Sequence, residues 1–287
     1  MWLPQEVNSA TVRLHSMKFF TLISALSLSA SLFADNWPRF RGPNGAGISA
    51  DAIPVIWKKE HFKWKTALPG VGHGSPVVWK GRIFLLCADE NTGDRTAVGL
   101  DEKTGGILWR TPFKAKVHRH HKQNSFASST PTVDDSGVYF SWGTPEALTL
   151  LALTHDGKMK WRANLGPVRG GHGFGASPII HGGMIILNND QDGASSLIAL
   201  DQRTGDVKWN TPRQSKRLTY STPCLYQAPG RDHELIFTNW HHRHQSGNWK
   251  SQMGERCLRQ TRQGTRHWLA NYRRRPCHRH LRLRHQV

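Results

Sequence analysis

Leu100-Asp101-Glu102-Lys103-Thr104-Gly105-Gly106-Ile107-Leu108-Trp109 is a pattern that this chain repeats. The second copy runs Leu153-Thr154-His155-Asp156-Gly157-Lys158-Met159-Lys160-Trp161, and the third Leu200-Asp201-Gln202-Arg203-Thr204-Gly205-Asp206-Val207-Lys208-Trp209. In each, Gly stands four residues before Trp. Trp64, in Lys63-Trp64-Lys65-Thr66, fits the same end of an earlier unit, and the Trp spacings are 45, 52 and 48. A period of this size fixes the architecture before any single residue does. Asp-x-x-Thr-Gly is hairpin chemistry: Gly takes positive φ, while Asp and Thr satisfy local backbone groups. The Trp four residues on sits on the next strand, where it can pack between adjacent units.

Working outward, a second element recurs ahead of each Trp. It is Ser/Thr-Pro followed by apolar residues: Ser75-Pro76, Thr130-Pro131, Ser177-Pro178 and Thr222-Pro223. A Gly-containing turn and a β-branched or aromatic run come next, as in Gly81-Arg82-Ile83-Phe84-Leu85-Leu86 and Gly183-Met184-Ile185-Ile186-Leu187. Each unit therefore reads as four short strands separated by turns. One such sheet cannot bury both faces alone, but a ring of them can. The expectation is an all-β propeller of four-stranded antiparallel blades over residues 35–240, truncated at about four blades. Trp64, Trp109, Trp161 and Trp209 should lie buried between blades. Gly105, Gly157, Gly205, Asp101 and Asp201 should form the turns onto which they dock.

The A/L-x-D-x-x-T-G-x-x-x-W pattern resembles the tryptophan-docking repeat of the PQQ-like (pyrroloquinoline-quinone-like) propeller family. That family includes quinoprotein alcohol dehydrogenases and the propeller lipoprotein of the outer-membrane β-barrel assembly machinery. The resemblance is nearer to exported, non-catalytic members such as that lipoprotein. Asn36-Trp37-Pro38-Arg39-Phe40-Arg41-Gly42-Pro43-Asn44-Gly45 looks like the mature start of a large exported subgroup. The likeness covers roughly Asn36 to Trp240. The second unit departs from the pattern in lacking the Thr. Complete members have seven or eight blades, hence the reading of this chain as truncated.

The two ends differ from the body. Met17-Lys18 opens a short basic region, Phe19 to Phe33 is apolar, and Ala34 precedes Asp35. This is the layout of a secretory signal peptide over 17–34, with 1–16 as an over-extended gene start. A periplasmic or secreted protein without a transmembrane span after cleavage is expected. The chain's formal net charge is +19. From His241 to Val287 there are 12 Lys/Arg and one acid, Glu255. The repeat stops in mid-unit there: Thr222-Pro223 and Leu235-Ile236-Phe237-Thr238 appear, but no Thr-Gly-x-x-x-Trp follows. Read one base further on, any Trp codon gives Gly, so Trp249 becomes Gly. Met253 before Gly254 must become Trp, four positions later, and Asn248 becomes Thr or Ile. Residues 241–287 are therefore expected to be a wrong-frame translation of the next blade, disordered as synthesised.

Chemistry is sparser. Cys87, Cys224, Cys257 and Cys277 form no C-x-x-C, which leaves zinc and redox readings little support. A Cys87–Cys224 disulfide is possible by count, and two separately buried thiols are the preferred reading. Quinone-dependent oxidation needs a cofactor stack, calcium and a catalytic carboxylate. The resemblance further implies adjacent cysteines for that activity, and this chain has none and no assignable catalytic Asp. No catalytic, cofactor or metal residue is assigned. Candidate loop positions are His120 and His121 in His118-Arg119-His120-His121, then Asn124, and Arg169 and His172 in the glycine-rich 169–175 loop. Against a metal or anion site there, the histidine run reads as a solvated inter-blade loop and the 169–175 loop as a plain inter-blade connector. Asn189-Asp190-Gln191-Asp192-Gly193 faintly resembles a calcium loop but lacks the distal Glu, and reads as a hairpin turn. The function expected is a non-catalytic exported scaffold binding protein or a small ligand through its loops. The alternatives are a fragment of a quinone- and calcium-dependent dehydrogenase, and a basic nucleic-acid binder acting through the tail. An exported protein rarely meets nucleic acid, so none is expected as partner.

Overall fold

The computed structural model describes residues 36–51, 55–213, 215, 217–226 and 234–237, with strand residues 240–241, 252–253 and 256–259. Blade 1 comprises β1 (Val77–Trp79), β2 (Arg82–Ala88), β3 (Arg95–Asp101) and β4 (Ile107–Phe113). Blade 2 comprises β5 (Thr132–Asp134), β6 (Gly137–Gly143), β7 (Leu148–Leu153) and β8 (Met159–Asn164). Blade 3 comprises β9 (Ile179–His181), β10 (Met184–Asn189), β11 (Ser195–Asp201) and β12 (Val207–Arg213). Each is a four-stranded antiparallel meander in sequence order. A fourth sheet begins with β13 (Cys224–Tyr226) and β14 (Glu234–Phe237) and includes β17 (Arg256–Arg259). β15 (Trp240–His241) pairs with β16 (Gln252–Met253). The fold is the expected all-β one: three complete blades and a fourth begun. The remainder of 241–287, and residues 1–35, lie outside the described residues. With them lie the expected gene start, the signal peptide and the frame reading.

The Ser/Thr-Pro elements end immediately before the first residue of each innermost strand, β1, β5, β9 and β13. Pro cannot donate to a ladder, so it stands at a strand's start. The innermost strands lie side by side, β1 next to β5 and β5 next to β9. The middle strands are buried on both faces, which is why they are near-continuous apolar runs. Alternate residues serve opposite neighbours. Phe140 and Leu151 pack against Val77, Phe84 and Ala97 of blade 1. Tyr139 and Leu150, one position away, pack against Ile185, Ile198 and Leu200 of blade 3. Ile186 and Ala199 then face Leu235 and Phe237 of blade 4. Burying each large apolar side chain contributes about 1.5–3 kcal/mol, so the core is a series of interfaces between blades.

Each outermost strand carries a β-bulge at one equivalent position, between Gly99/Leu100, Ala152/Leu153 and Ala199/Leu200 of its partner strand. The extra residue directly precedes Trp109, Trp161 or Trp209 and re-aims that indole toward the next blade. Among the described residues no helix is long and apolar enough to cross a membrane.

Candidate functional site

The Trp residues occupy equivalent places. The Trp64 indole donates to Glu102 O at 2.9 Å, Trp109 to His155 O at 2.8 Å and Trp161 to Gln202 O at 3.0 Å. Each ring lies over the turn glycine of the following blade, Gly105, Gly157 or Gly205. Thr66 and Thr111, two residues beyond their Trp, donate to Gly105 O and Gly157 O at 2.6 and 2.8 Å. Full burial was expected for all four. Trp209 is 9% exposed, but Trp64, Trp109 and Trp161 are half-buried. Docking on the turn leaves part of these three rings accessible on the outermost strands.

The turns follow their sequence chemistry. Asp101 Oδ1 accepts from the Thr104 N–H and hydroxyl, both at 2.8 Å. Asp201 Oδ1 accepts from the Arg203 and Thr204 N–H groups at 2.8 and 3.2 Å. These bonds hold both carboxyls below the ordinary carboxylate value. The blade 2 turn is one residue shorter, with Leu153 opposite Met159 where Leu100 opposes Ile107. Its Asp156 instead pairs with Arg82 of blade 1 at 2.7 Å. The Ser/Thr of the Ser/Thr-Pro elements form an inter-blade ladder: the Ser75 N–H donates to Thr130 Oγ1 and the Thr130 N–H to Ser177 Oγ, at 2.9 and 3.0 Å.

The connectors from one blade to the next run over the opposite face from these turns. The structure brings His120, His121, Asn124 and His172 together on it. The His121 N–H and Asn124 Nδ2 donate to His172 O at 3.3 and 2.6 Å, and the two imidazoles of His121 and His172 lie 5.2 Å apart. A Cβ on Gly173 would meet His120 and Asn124, so glycine permits the approach. His118 and His120 flank the buried Phe126 ring at 4.7 and 4.6 Å. The connector is thus packed at these two histidines, where a solvated loop was expected. The buried Arg95 guanidinium anchors the same connector by donating to Phe126 O at 3.1 Å.

Arg169 sits apart on the same loop as His172. Its N–H donates to Gln191 Oε1 at 2.7 Å, and its carbonyl accepts from Asp192 at 2.9 Å. It borders an open groove of about 490 Å³, lined also by Leu165, Pro167, Asn189, Gln191 and Asn210. Residues 190–194 form the β10–β11 hairpin turn. Asp190 in it is engaged by Arg213 at 2.8 Å, with side chains 0% and 3% exposed, and by the Thr219 hydroxyl at 2.8 Å. Cys87 and Cys224 are free: Cys87 is buried, with its thiol pushed up to about 11, while Cys224 is only half-buried. Tyr220 was not singled out in the sequence. Its hydroxyl donates to Gly173 O at 3.3 Å and its ring stands over Gly175. No residue pattern marks that neighbourhood, because blade packing creates it.

Residues 93–227 match the family model described as outer membrane protein assembly factor BamB. The chain is 26% identical over 235 residues to a polyvinylalcohol dehydrogenase from Pseudomonas sp, covering 72% of this chain and 34% of that protein. It therefore spans about a third of that relative's length. Among solved structures, it is similar to BamB from Moraxella catarrhalis, with 16% identity and a TM-score of 0.40, covering 62% of this chain and 48% of the other. It is also similar to quinohemoprotein alcohol dehydrogenase from Comamonas testosteroni, with 15% identity and a TM-score of 0.41, covering 58% and 32%. Through the matching family model, the repeats and the docked indoles, residues 93–227 are similar to the PQQ-like β-propeller repeat family.

Proposed function

We propose that the chain is part of an exported, non-catalytic binding scaffold that engages a protein or other ligand at its connector face. The observation that supports this most directly is preorganisation. Three successive connectors are tied to one another through His172 O and Gly173 O, and the Arg95 guanidinium of β3 anchors the first of them. A surface ordered before its partner arrives avoids much of the ordering cost of association. The match to an assembly-factor model is consistent with a protein partner. The second reading, a dehydrogenase fragment, is favoured by one observation, the similarity to a polyvinylalcohol dehydrogenase. Titrating the protein with pyrroloquinoline quinone and Ca²⁺, with dye-linked alcohol oxidation as readout, separates the two. The scaffold predicts no stoichiometric uptake and no turnover. Saturable quinone binding with turnover overturns it.

A further inference from the structure

We propose that the connector face is a docking surface for an acidic polypeptide segment, held over the seam between blades 2, 3 and 4 and in the groove beside Arg169. The proposal rests on the scaffold reading and supplies its partner's chemistry. The three inter-blade connectors, 114–131, 165–178 and 214–223, contain seven Lys/Arg, four His and no Asp or Glu. Packing makes them one surface: His121 faces His172, Gly170 faces the Leu218 side chain, and Tyr220 reaches Gly173. Lys116, Arg119, Lys122, Arg169 and Arg217 are all exposed, and none belongs to an ion pair among the described residues.

Acids do share this face, in the β2–β3, β6–β7 and β10–β11 turns, but most are committed. Asp89 caps its own turn, Asp94 is held by Lys114, Asp190 by Arg213, and Asp192 accepts from the Leu218 N–H. Asp89 and Asp192 keep their charge and, with Glu90 and Glu146, set four carboxylates on the turns against the five cations, so the positive surface is that of the connectors themselves. A surface so arranged attracts and orients a polyanion.

Two features favour polypeptide over nucleic acid. Asn189, 5% exposed, lines the groove with a carbonyl Oδ1 that meets no donor among the described residues. A buried acceptor of this kind calls for a donor; a peptide main chain supplies an N–H at almost every residue, whereas nucleic acid supplies them only at its base edges. Single-stranded nucleic acid is also held by stacking on free aromatic faces. Here His121 and His172 face each other, and Tyr220, 47% exposed, has one ring face backed by Gly175.

The test is fluorescence anisotropy of a labelled Glu-rich peptide titrated with the full chain at low and physiological salt. A single-stranded oligonucleotide of equal charge forms the second arm. Binding is expected to weaken with salt. The exposed-charge variant Arg119→Gln/Lys122→Gln/Arg169→Gln/Arg217→Gln should bind about tenfold more weakly or worse. Its tryptophan emission should match the parent's, showing intact docking. A tail variant, Arg273→Gln/Arg274→Gln/Arg275→Gln, should bind the peptide as the parent does. Asn189→Ala should weaken the peptide without affecting the oligonucleotide. Absent peptide binding, retention of affinity by the connector variant, loss confined to the tail variant, or equal oligonucleotide affinity through the connectors each overturn the proposal. Without quinone-dependent turnover, such a failure would leave the scaffold reading standing.

Discussion

At Gly157 the backbone has φ +78°, and an added Cβ would lie within 3.0 Å of the Trp109 indole. Gly105 and Gly205 repeat that arrangement against Trp64 and Trp161. Two costs coincide there. A side chain at positive φ costs about 1–2 kcal/mol, and forcing the indole off its seat adds overpacking of about 1–3 kcal/mol. Gly157→Ala should therefore destabilise the protein by about 2–4 kcal/mol, read as a lowered denaturant midpoint with red-shifted tryptophan emission. Gly171→Ala is the matched control, since nothing stands within 4 Å of its position. It should change stability by no more than about 0.5 kcal/mol. Equal effects at the two sites would mean that the docking seat contributes nothing.

The blade hairpins titrate as elements. Asp101 and Asp201 are held below the ordinary 3.8, chiefly by backbone N–H donors of their own turns. A carboxyl depressed on folding stabilises above its unfolded value, and that contribution is lost as pH falls through the folded one. Stability should therefore hold down to about pH 4 and fall below it, measured as guanidinium midpoints between neutral pH and pH 3. Asp101→Asn with Asp201→Asn should flatten part of the acid limb, because Asn can cap the turn without titrating. Asp94, Asp135 and Asp156, depressed by Lys114, Lys80 and Arg82, act in the same direction. An acid limb unaltered in the double variant would count against the caps.

The same hairpins show what the sequence could carry. Asp, Thr and Gly declare the turn because their chemistry is local, and Ser/Thr-Pro declares where an innermost strand begins. Three features were not legible. The bulge before each Trp depends on register, which no single strand encodes. The half-exposure of Trp64, Trp109 and Trp161 depends on where sheets end. The seam of His121, Asn124, His172 and Tyr220 depends on the distance between blades. The candidate residues were found as polar loop positions, but Arg169 belongs with Gln191 rather than with the histidines.

At the scale of the whole molecule, one short segment joins blades that are distant in sequence. Trp37 and Val78 exchange N–H···O bonds at 2.9 Å on the edge of β1. Pro38 O accepts from Val133 N–H on β5 at 2.9 Å. The Arg39 guanidinium, 7% exposed and pushed down to about 10 by burial, donates to Pro223 O. Asn44 then brackets Leu225 on β13, donating to its carbonyl at 2.8 Å and accepting from its N–H at 2.9 Å. An innermost strand has a free edge of backbone groups that need partners, and this segment supplies them for blades 1, 2 and 4. Blades 1 to 3 have a second connection, through the docked Trp109 and Trp161. On blade 4 the segment acts through the Arg39 and Asn44 side chains, whereas its bonds to blades 1 and 2 are made by its backbone. Arg39→Ala with Asn44→Ala should therefore loosen blade 4 selectively. Losing these bonds costs about 1–3 kcal/mol of local opening free energy, so the Leu225 amide should exchange about tenfold faster or more in native-state hydrogen exchange. The amides of β6 and β7, enclosed between two other blades, should be unchanged. Uniform acceleration across all blades would show that the segment holds the fold globally, and unchanged exchange at Leu225 would show that it holds nothing there.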